Sequence, residues 1–461
     1  MLTMQEIAEA VEGHLIWVPG ADAEFTSVVV DSRQVIPGSL FVALKGETQD
    51  GHDFVADAIA RGAGAALVEK PPVEWPLAAV ATFPLIQVKD SLLALQAMAR
   101  QWRRKVGLTV VAVTGSVGKT TTKEVLSSLL DNRFSVLKGE GNLNTEIGLP
   151  LNLLRITPRH QVAVVEMGMY ALGEIRALAR IAEPNVGVVT NVGPTHLERL
   201  GTIDRIAEAK GELVEELPAS GLAVLNLDDP RVRAMEKKSR AAVAFYGLDP
   251  EAGFWADSVQ GRGLQGIEFD LHHGGDWLHV RMPLLGLHSV HAALAASVVA
   301  HHLGMPLEEI AGGLHEVSTS LRLIAEAGIN GSTVVDDCYN ASPASTLAAL
   351  TLLNELSGRR VAVLGDMLEL GSFAAEGHQM VGRRAADVAD VLITVGELGA
   401  LVGQEALADG KDAESVFLAR DNDDAIKKLR TILRPGDCVL VKGSRGMQME
   451  QIVEAIRCPT P

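Results

Sequence analysis

The chain has 461 residues, which at roughly 150 residues per domain suggests about three domains. Hydrophobic residues make up 47% of it and charged residues 21%, proportions that exclude disorder, collagen and coiled coil. Its 41 Lys and Arg against 58 Asp and Glu leave a formal charge of −17. That field repels nucleic acid and anionic membrane surfaces, so an anionic ligand must be held by local donors. No stretch reaches the ~18 continuous apolar residues of a membrane helix, and the opening MLTMQEIAEAVEGHL carries acids where a signal peptide is basic and then apolar. The expectation is a cytoplasmic chain with no membrane insertion. Cys338, Cys438 and Cys458 lack metal-ligand spacing and read as free thiols.

In chain order, residues 1–88 alternate short strand-like runs (FTSVVVDS, IPGSLFVAL, AALVE) with a helical stretch ending at Gly62 and a turn-rich PPVEWP at 71–76. A last apolar strand falls around Leu85 to Val88, and together these form a small α/β unit. In SLLALQAMARQWRRK, Leu92, Leu95, Met98, Ala99 and Trp102 recur at helical spacing with basic residues in the last turn, opening a second unit at 89. From Leu108 to Val317, continuous apolar strands (LTVVAVTG, QVAVVEMGM, NVGVVTNV) alternate with helices, and VHAALAASVVAHHLG reads as a closely packed helix. That pattern predicts a parallel sheet covered on both faces. Residues 318–461 restart the alternation with STVVDD, RVAVLGDM, DVLITVG, ESVFLA and DCVLVKG, predicting a Rossmann-like α/β unit.

The segment VVAVTGSVGKTTTKEV at 110–125 runs a buried strand through a glycine loop into a helix. Backbone amides of Gly115, Ser116, Val117 and Gly118, with the helix start at Thr120 and Thr121, suit phosphate oxygens. Lys119 would reach the terminal phosphates and the Thr120 hydroxyl would ligate Mg²⁺. Val113 departs from the strict GxxxxGK pattern, which wants glycine there. The loop nevertheless predicts ATP or GTP as ligand and a central P-loop unit. Glu166, directly after a strand, and His196, in GPTHLERLG, are candidate metal ligands. Lys210, flanked by Glu208 and Glu212, reads on its own as a solvated lysine. VVDDCYNASPAS at 334–345 and VKGSRGMQME at 441–450 are as open to a structural as to a functional reading, the second with anion-site character from Lys442 and Arg445. His272 with His273, and His301 with His302, lack zinc spacing.

These pieces resemble the Mur ligase family over almost the whole chain. The resemblance is carried by DSRQVIPGSLFVALKGETQDGHDF, TGSVGKTTTKE, GNLNTEIGLPLNLL, VVEMGM, THLERLG, DDCYNASPAS, VLGDMLELG and VKGSRGM. TGSVGKTT alone would also fit folylpolyglutamate synthases; the DSR opening, LGDMLELG and KGSRGM narrow it. The resemblance implies an ATP- and Mg²⁺-dependent amide ligase joining D-alanyl-D-alanine to UDP-N-acetylmuramoyl-tripeptide through an acyl phosphate, acting as a monomer in peptidoglycan precursor synthesis. It further implies that Lys119 and its loop hold ATP, that Thr120 and Glu166 hold one Mg²⁺, and that His196 serves a second. Lys210 would carry a carbamate, formed when a neutral amine adds to CO₂, that approaches that second metal. Asn142, Asn144 and Thr145 would touch the peptide substrate, and Ser32, Arg33, Lys45 and Gly46 its uridine diphosphate. Asp336, Tyr339 and Asn340 would meet nucleotide or dipeptide, and Arg322 the ATP phosphates. Three positions depart from the family: Ser289 and His291 stand where relatives commonly show asparagines that read adenine, and Leu321 where glycine is frequent before Arg322. The alternative class is a P-loop kinase with a stable phosphorylated product; a nucleotide-gated scaffold that makes no product is a third.

Overall fold

The structure is a computed structural model that describes residues 2–15, 25–70, 83–141, 143–317 and 324–458. The PPVEWP turn, Asn142, Leu321 and Arg322 lie outside the described residues.

Three sheets follow one another along the chain. In the first, β2 (Val28–Val29), β3 (Leu40–Val42), β4 (Ala65–Val68) and β5 (Leu85–Gln87) run parallel, and β1 (His14–Leu15) pairs antiparallel with β5. Every residue of β3 and β4 is buried, as their unbroken apolar runs require. The helix Ser91–Val106 starts on the Asp90 side chain and stops at Gly107, whose φ of 73° suits a residue without Cβ. Its apolar stripe of Leu95, Met98, Ala99 and Trp102 continues the core of the first sheet into one face of the second, beside Val110, Ala112 and Val165. The Trp102 Nε1–H donates to the Ile156 carbonyl at 2.8 Å, which anchors the helix without an unpaired buried donor.

The central sheet has nine strands: β6 (Thr109–Thr114), β7 (Val136–Lys138), β8 (Val162–Glu166), β9 (Val186–Val189), β10 (Leu222–Asn226), β11 (Ala242–Gly247), β12 (Phe254–Gly261), β13 (Ile267–His273) and β14 (Asp276–Met282). Their order is β14-β13-β12-β11-β10-β9-β6-β8-β7. The parallel expectation holds from β7 to β12 and needs correction beyond it, because β12, β13 and β14 form an antiparallel meander. The reason is visible in β13, whose side chains alternate between buried and partly exposed, the period-two pattern of a sheet with one wet face. The Ala-rich helix Ser289–His302 is buried along most of its length and packs on the helix Lys119–Asp131 and on the strands.

The third sheet runs β15-β16-β20-β17-β18-β19, from β15 (Ile324–Ala327), β16 (Thr333–Asp337), β17 (Arg359–Gly365), β18 (Val391–Val395), β19 (Val416–Ala419) and β20 (Asp437–Lys442). All its pairings are parallel except that of β15 with β16. Helices Pro343–Glu355 and Ala374–Val388 pack together beside it, the first opened by a Ser342 capping box with Pro at the start. The architecture is therefore three α/β units. Among the described residues no helix is long and apolar enough to cross a membrane.

Candidate active site

The strand order reverses around β6, which lies between β8 and β9, and open α/β sheets bind ligands at such a switch point. A cleft of about 1250 Å³ opens there, lined from all three units.

The loop after β6 is held by the end of β9. Ser116 N–H donates to the Asn191 carbonyl at 2.9 Å, Val117 N–H to Asn191 Oδ1 at 2.9 Å, and the Thr190 hydroxyl to the Val117 carbonyl at 2.7 Å. Gly115 is required: a Cβ there would lie 1.8 Å from Thr190 Oγ1. Gly118 has φ +84° with open space around it, which leaves room for a ligand against the backbone. The Ser116 and Val117 amides are thus engaged by Asn191, and the amides left without an intrahelical acceptor are those of the helix start at Gly118, Thr120 and Thr121. Lys119 folds back, its Nζ donating to the Gly115 carbonyl at 2.9 Å and the Ser116 carbonyl at 3.3 Å.

Glu166 closes β8 at the floor of the cleft and is 5% exposed. Its Oε2 accepts from the Thr120 hydroxyl at 2.7 Å and its Oε1 from Asn144 Nδ2 at 3.0 Å. A buried carboxylate beside a hydroxyl is a donor set for a hard divalent ion.

Lys210 overturns the solvated reading. It is 2% exposed, on the buried stripe of the helix Ile203–Glu215 with Ile206, Ala209 and Leu213. Among the described residues its ammonium has no hydrogen-bond or ion-pair partner. Burial first, and then the charge of Lys119, hold its ammonium well below the usual lysine range, so the neutral amine is favoured. Glu208 does point outward, whereas Glu212 is buried and accepts from the amides of Gly173 at 2.7 Å and Arg176 at 3.0 Å, capping the helix Glu174–Ala182. Lys210 and His196 both line the cleft. Burial pushes His196 down, Glu369 opposes and Lys210 adds to the fall. The His196 Nδ1 lies 2.6 Å from Glu369 Oε2 of the third unit.

The cleft lining also includes Ser116, Val117, Thr121, Thr145, Tyr339 and Asn340. It does not include Asp336, which accepts from the Cys338 amide at 3.0 Å, or His291, whose Nε2 meets Asp228 Oδ2 at 2.8 Å. Ser32, Arg33, Lys45 and Gly46 also lie outside the lining, where Glu47 represents the first unit. Arg33 is held in a fork by the Asp31 carboxylate, which it draws down to about 2. Lys442 is buried against Asp337 Oδ2 at 2.6 Å, so its charge is spent within the third unit. Sequence reasoning missed Asn191 and Glu369; both lie inside quoted segments, but their partners are 74 and 173 residues away.

Comparison with known families places the chain. Residues 24–103 match the Mur ligase family catalytic domain, 113–300 the Mur ligase middle domain, and 321–445 the Mur ligase glutamate ligase domain. The chain belongs to the Mur ligase family. Its relatives within that family include the UDP-N-acetylmuramoyl-tripeptide--D-alanyl-D-alanine ligases of Bacillus subtilis, 35% identical over 98% of this chain and 97% of that one, and of Escherichia coli, 34% identical over 99% and 98%. Among solved structures, MurF from Acinetobacter baumannii is 32% identical with a TM-score of 0.87, covering 98% of both chains. MurF ligase from Thermotoga maritima in complex with ADP is 31% identical with a TM-score of 0.81, covering 93% of this chain and 96% of that one.

Proposed function

We propose that the protein is an ATP-dependent amide ligase that joins D-alanyl-D-alanine to UDP-N-acetylmuramoyl-tripeptide, giving the pentapeptide precursor, ADP and phosphate. The observation that carries this reading is one cleft, lined by all three units, that gathers Lys119, the helix start at Thr120, the buried Glu166 and the buried Lys210.

The chemistry explains why such a cleft is needed. A peptide carboxylate resists attack by an amine because it is anionic and has no usable leaving group. Attack of the carboxylate oxygen on the γ-phosphorus of ATP breaks the bond to ADP and forms an acyl phosphate. The amine of the dipeptide then adds to the acyl carbon, loses its proton and expels phosphate. The first half brings two anions together, so positioning and charge neutralisation dominate.

In this reading Lys119 leaves its two loop carbonyls for the terminal phosphates, and the amides of Gly118, Thr120 and Thr121 cradle the rest. Thr120 and Glu166 fit Mg²⁺, which when bound would neutralise phosphate charge. His196 would serve a second Mg²⁺. Lys210 does not fit a cation as an ammonium; its environment favours the neutral amine, the form that adds CO₂ to become an anionic carbamate. Asn144, bonded to Glu166, and Thr145 would orient the peptide, with Asn142 beside them. Ser32, Arg33, Lys45 and Gly46 would hold the uridine diphosphate; Tyr339, Asn340, Asp336 and Arg322 would act from the third unit, and His291 near the adenine. The three units, with boundaries near 88 and 317, would close to exclude water, which otherwise hydrolyses the acyl phosphate. The protein would work as a monomer in the cytoplasm.

A coupled assay of ADP release tests this. Sustained release should require both the UDP-tripeptide and D-alanyl-D-alanine, with an amide product in equal amount. A stable phosphorylated product formed without the dipeptide would instead establish a kinase.

A further inference from the structure

Glu369 lies in the loop after β17 and reaches His196 across the gap between the second and third units. Four hydrogen bonds brace that loop: Gly399 N–H donates to Asp366 Oδ1 at 2.7 Å, Met367 N–H to His378 Nε2 at 2.9 Å, Leu368 N–H to Ser444 Oγ at 2.8 Å, and Ser444 N–H to the Asp366 carbonyl at 3.0 Å. The LGDMLELG and KGSRGM segments are therefore one structure, and it presents Glu369.

On the far side the contact is equally constrained. His196 and Glu369 both have positive φ, 57° and 63°, which non-glycine residues adopt only where the surroundings require it. Glu198 N–H donates to the Glu369 carbonyl at 3.3 Å, and a Cβ on Gly371 would come within 2.9 Å of Glu198 Cα. The Tyr170 ring meets the imidazole edge-on at 5.1 Å. An ionised carboxylate can only accept, so at 2.6 Å the imidazole must donate from Nδ1. Its lone pair is then on Nε2, which has no hydrogen-bond partner among the described residues.

We infer that Glu369 is a positioning residue for His196: the third unit, on docking, fixes the Nδ1–H tautomer and aims the Nε2 lone pair into the cleft. This rests on the reading of His196 as a ligand to Mg²⁺, for which such outer partners orient the ring and raise its basicity. The site at His196 is then complete only when the third unit is docked, which links closure to metal capture.

The test uses the full-length protein with a non-hydrolysable ATP analogue. ¹⁵N spectra of labelled histidine, with His196 assigned through His196→Ala, read the tautomer, and electron paramagnetic resonance reads Mn²⁺ binding. Wild type should show the Nδ1–H form. Glu369→Ala should lose it and bind the weaker Mn²⁺ equivalent about 10- to 100-fold less tightly. Glu369→Gln, whose amide oxygen still accepts, should keep the tautomer and part of the affinity. An unchanged tautomer in Glu369→Ala overturns the inference, as does a changed tautomer with unchanged Mn²⁺ binding when His196→Ala weakens it. If His196→Ala leaves Mn²⁺ binding intact, the ligand reading itself fails, and the tautomer result still decides whether Glu369 holds the ring.

Discussion

Replacing Lys210 by Met keeps an unbranched stem and removes the amine buried at its tip. That amine has no partner among the described residues, and its protonated form is strongly disfavoured by burial and by Lys119. The folded-state pKa of this lysine lies below its unfolded value of 10.5. Between those two values the unfolded chain holds a proton that the folded chain does not, so wild-type stability rises with pH there. Above 10.5 the dependence levels off, and below the folded pKa both states are protonated and it vanishes. Inside the window the slope approaches a factor of ten in the folding equilibrium per pH unit. Lys210→Met removes this contribution, so within the window it should be more stable than wild type, and the two should converge as pH rises toward 10.5. Ligation should be lost throughout. The assay is urea unfolding in CO₂-free buffer at several pH values for both proteins. Added bicarbonate should stabilise the wild type alone, because the carbamate draws on the neutral amine. Parallel pH dependences for the two proteins would refute the argument that the amine is buried and unprotonated.

Three further outcomes are expected. Lys119→Met should lower kcat by about 10²- to 10³-fold, the scale for removing one preorganised charge from a transition state; steady-state ADP release measures it. Gly115→Ala should weaken nucleotide binding about tenfold or more by calorimetry, since the new Cβ would meet Thr190 Oγ1 and the loop would absorb ~1–3 kcal/mol of strain. Trp102→Phe should destabilise the protein by roughly 1–3 kcal/mol in chemical unfolding while leaving kcat intact, because the Ile156 carbonyl loses its buried donor far from the cleft.

The P-loop was legible because its signal is local: strand, glycine, lysine and helix start are contiguous, and Gly115 and Gly118 take positive φ. Glu166 was legible for the same reason, as a carboxylate at a strand end beside that loop. The charged neighbours of Lys210 suggest a wet face, and only the family resemblance marks it for a role. The better signal was periodic: Ile206, Ala209, Lys210 and Leu213 share one stripe, and Glu212 is buried as a cap for another helix. The antiparallel meander has its signal in the alternation of IEFDLHH, which is weaker than the continuous apolar runs of the parallel strands. Asn191 and Glu369 could not be found from spacing, because their roles arise from contacts with residues far away in sequence. Ser32, Arg33, Lys45 and Gly46, proposed for the uridine diphosphate, lie outside the lining of the central cleft, and no local pattern in DSRQ or LKGE tells where a substrate's far end rests.

The central claim is that a peptide carboxylate accepts a phosphoryl group before it accepts an amine. It is tested most directly with UDP-tripeptide carrying ¹⁸O in its terminal carboxylate, incubated with ATP, Mg²⁺ and D-alanyl-D-alanine. An acyl phosphate requires that one ¹⁸O atom leave with each inorganic phosphate released, in step with the pentapeptide formed. Unlabelled phosphate alongside full pentapeptide synthesis would contradict the account.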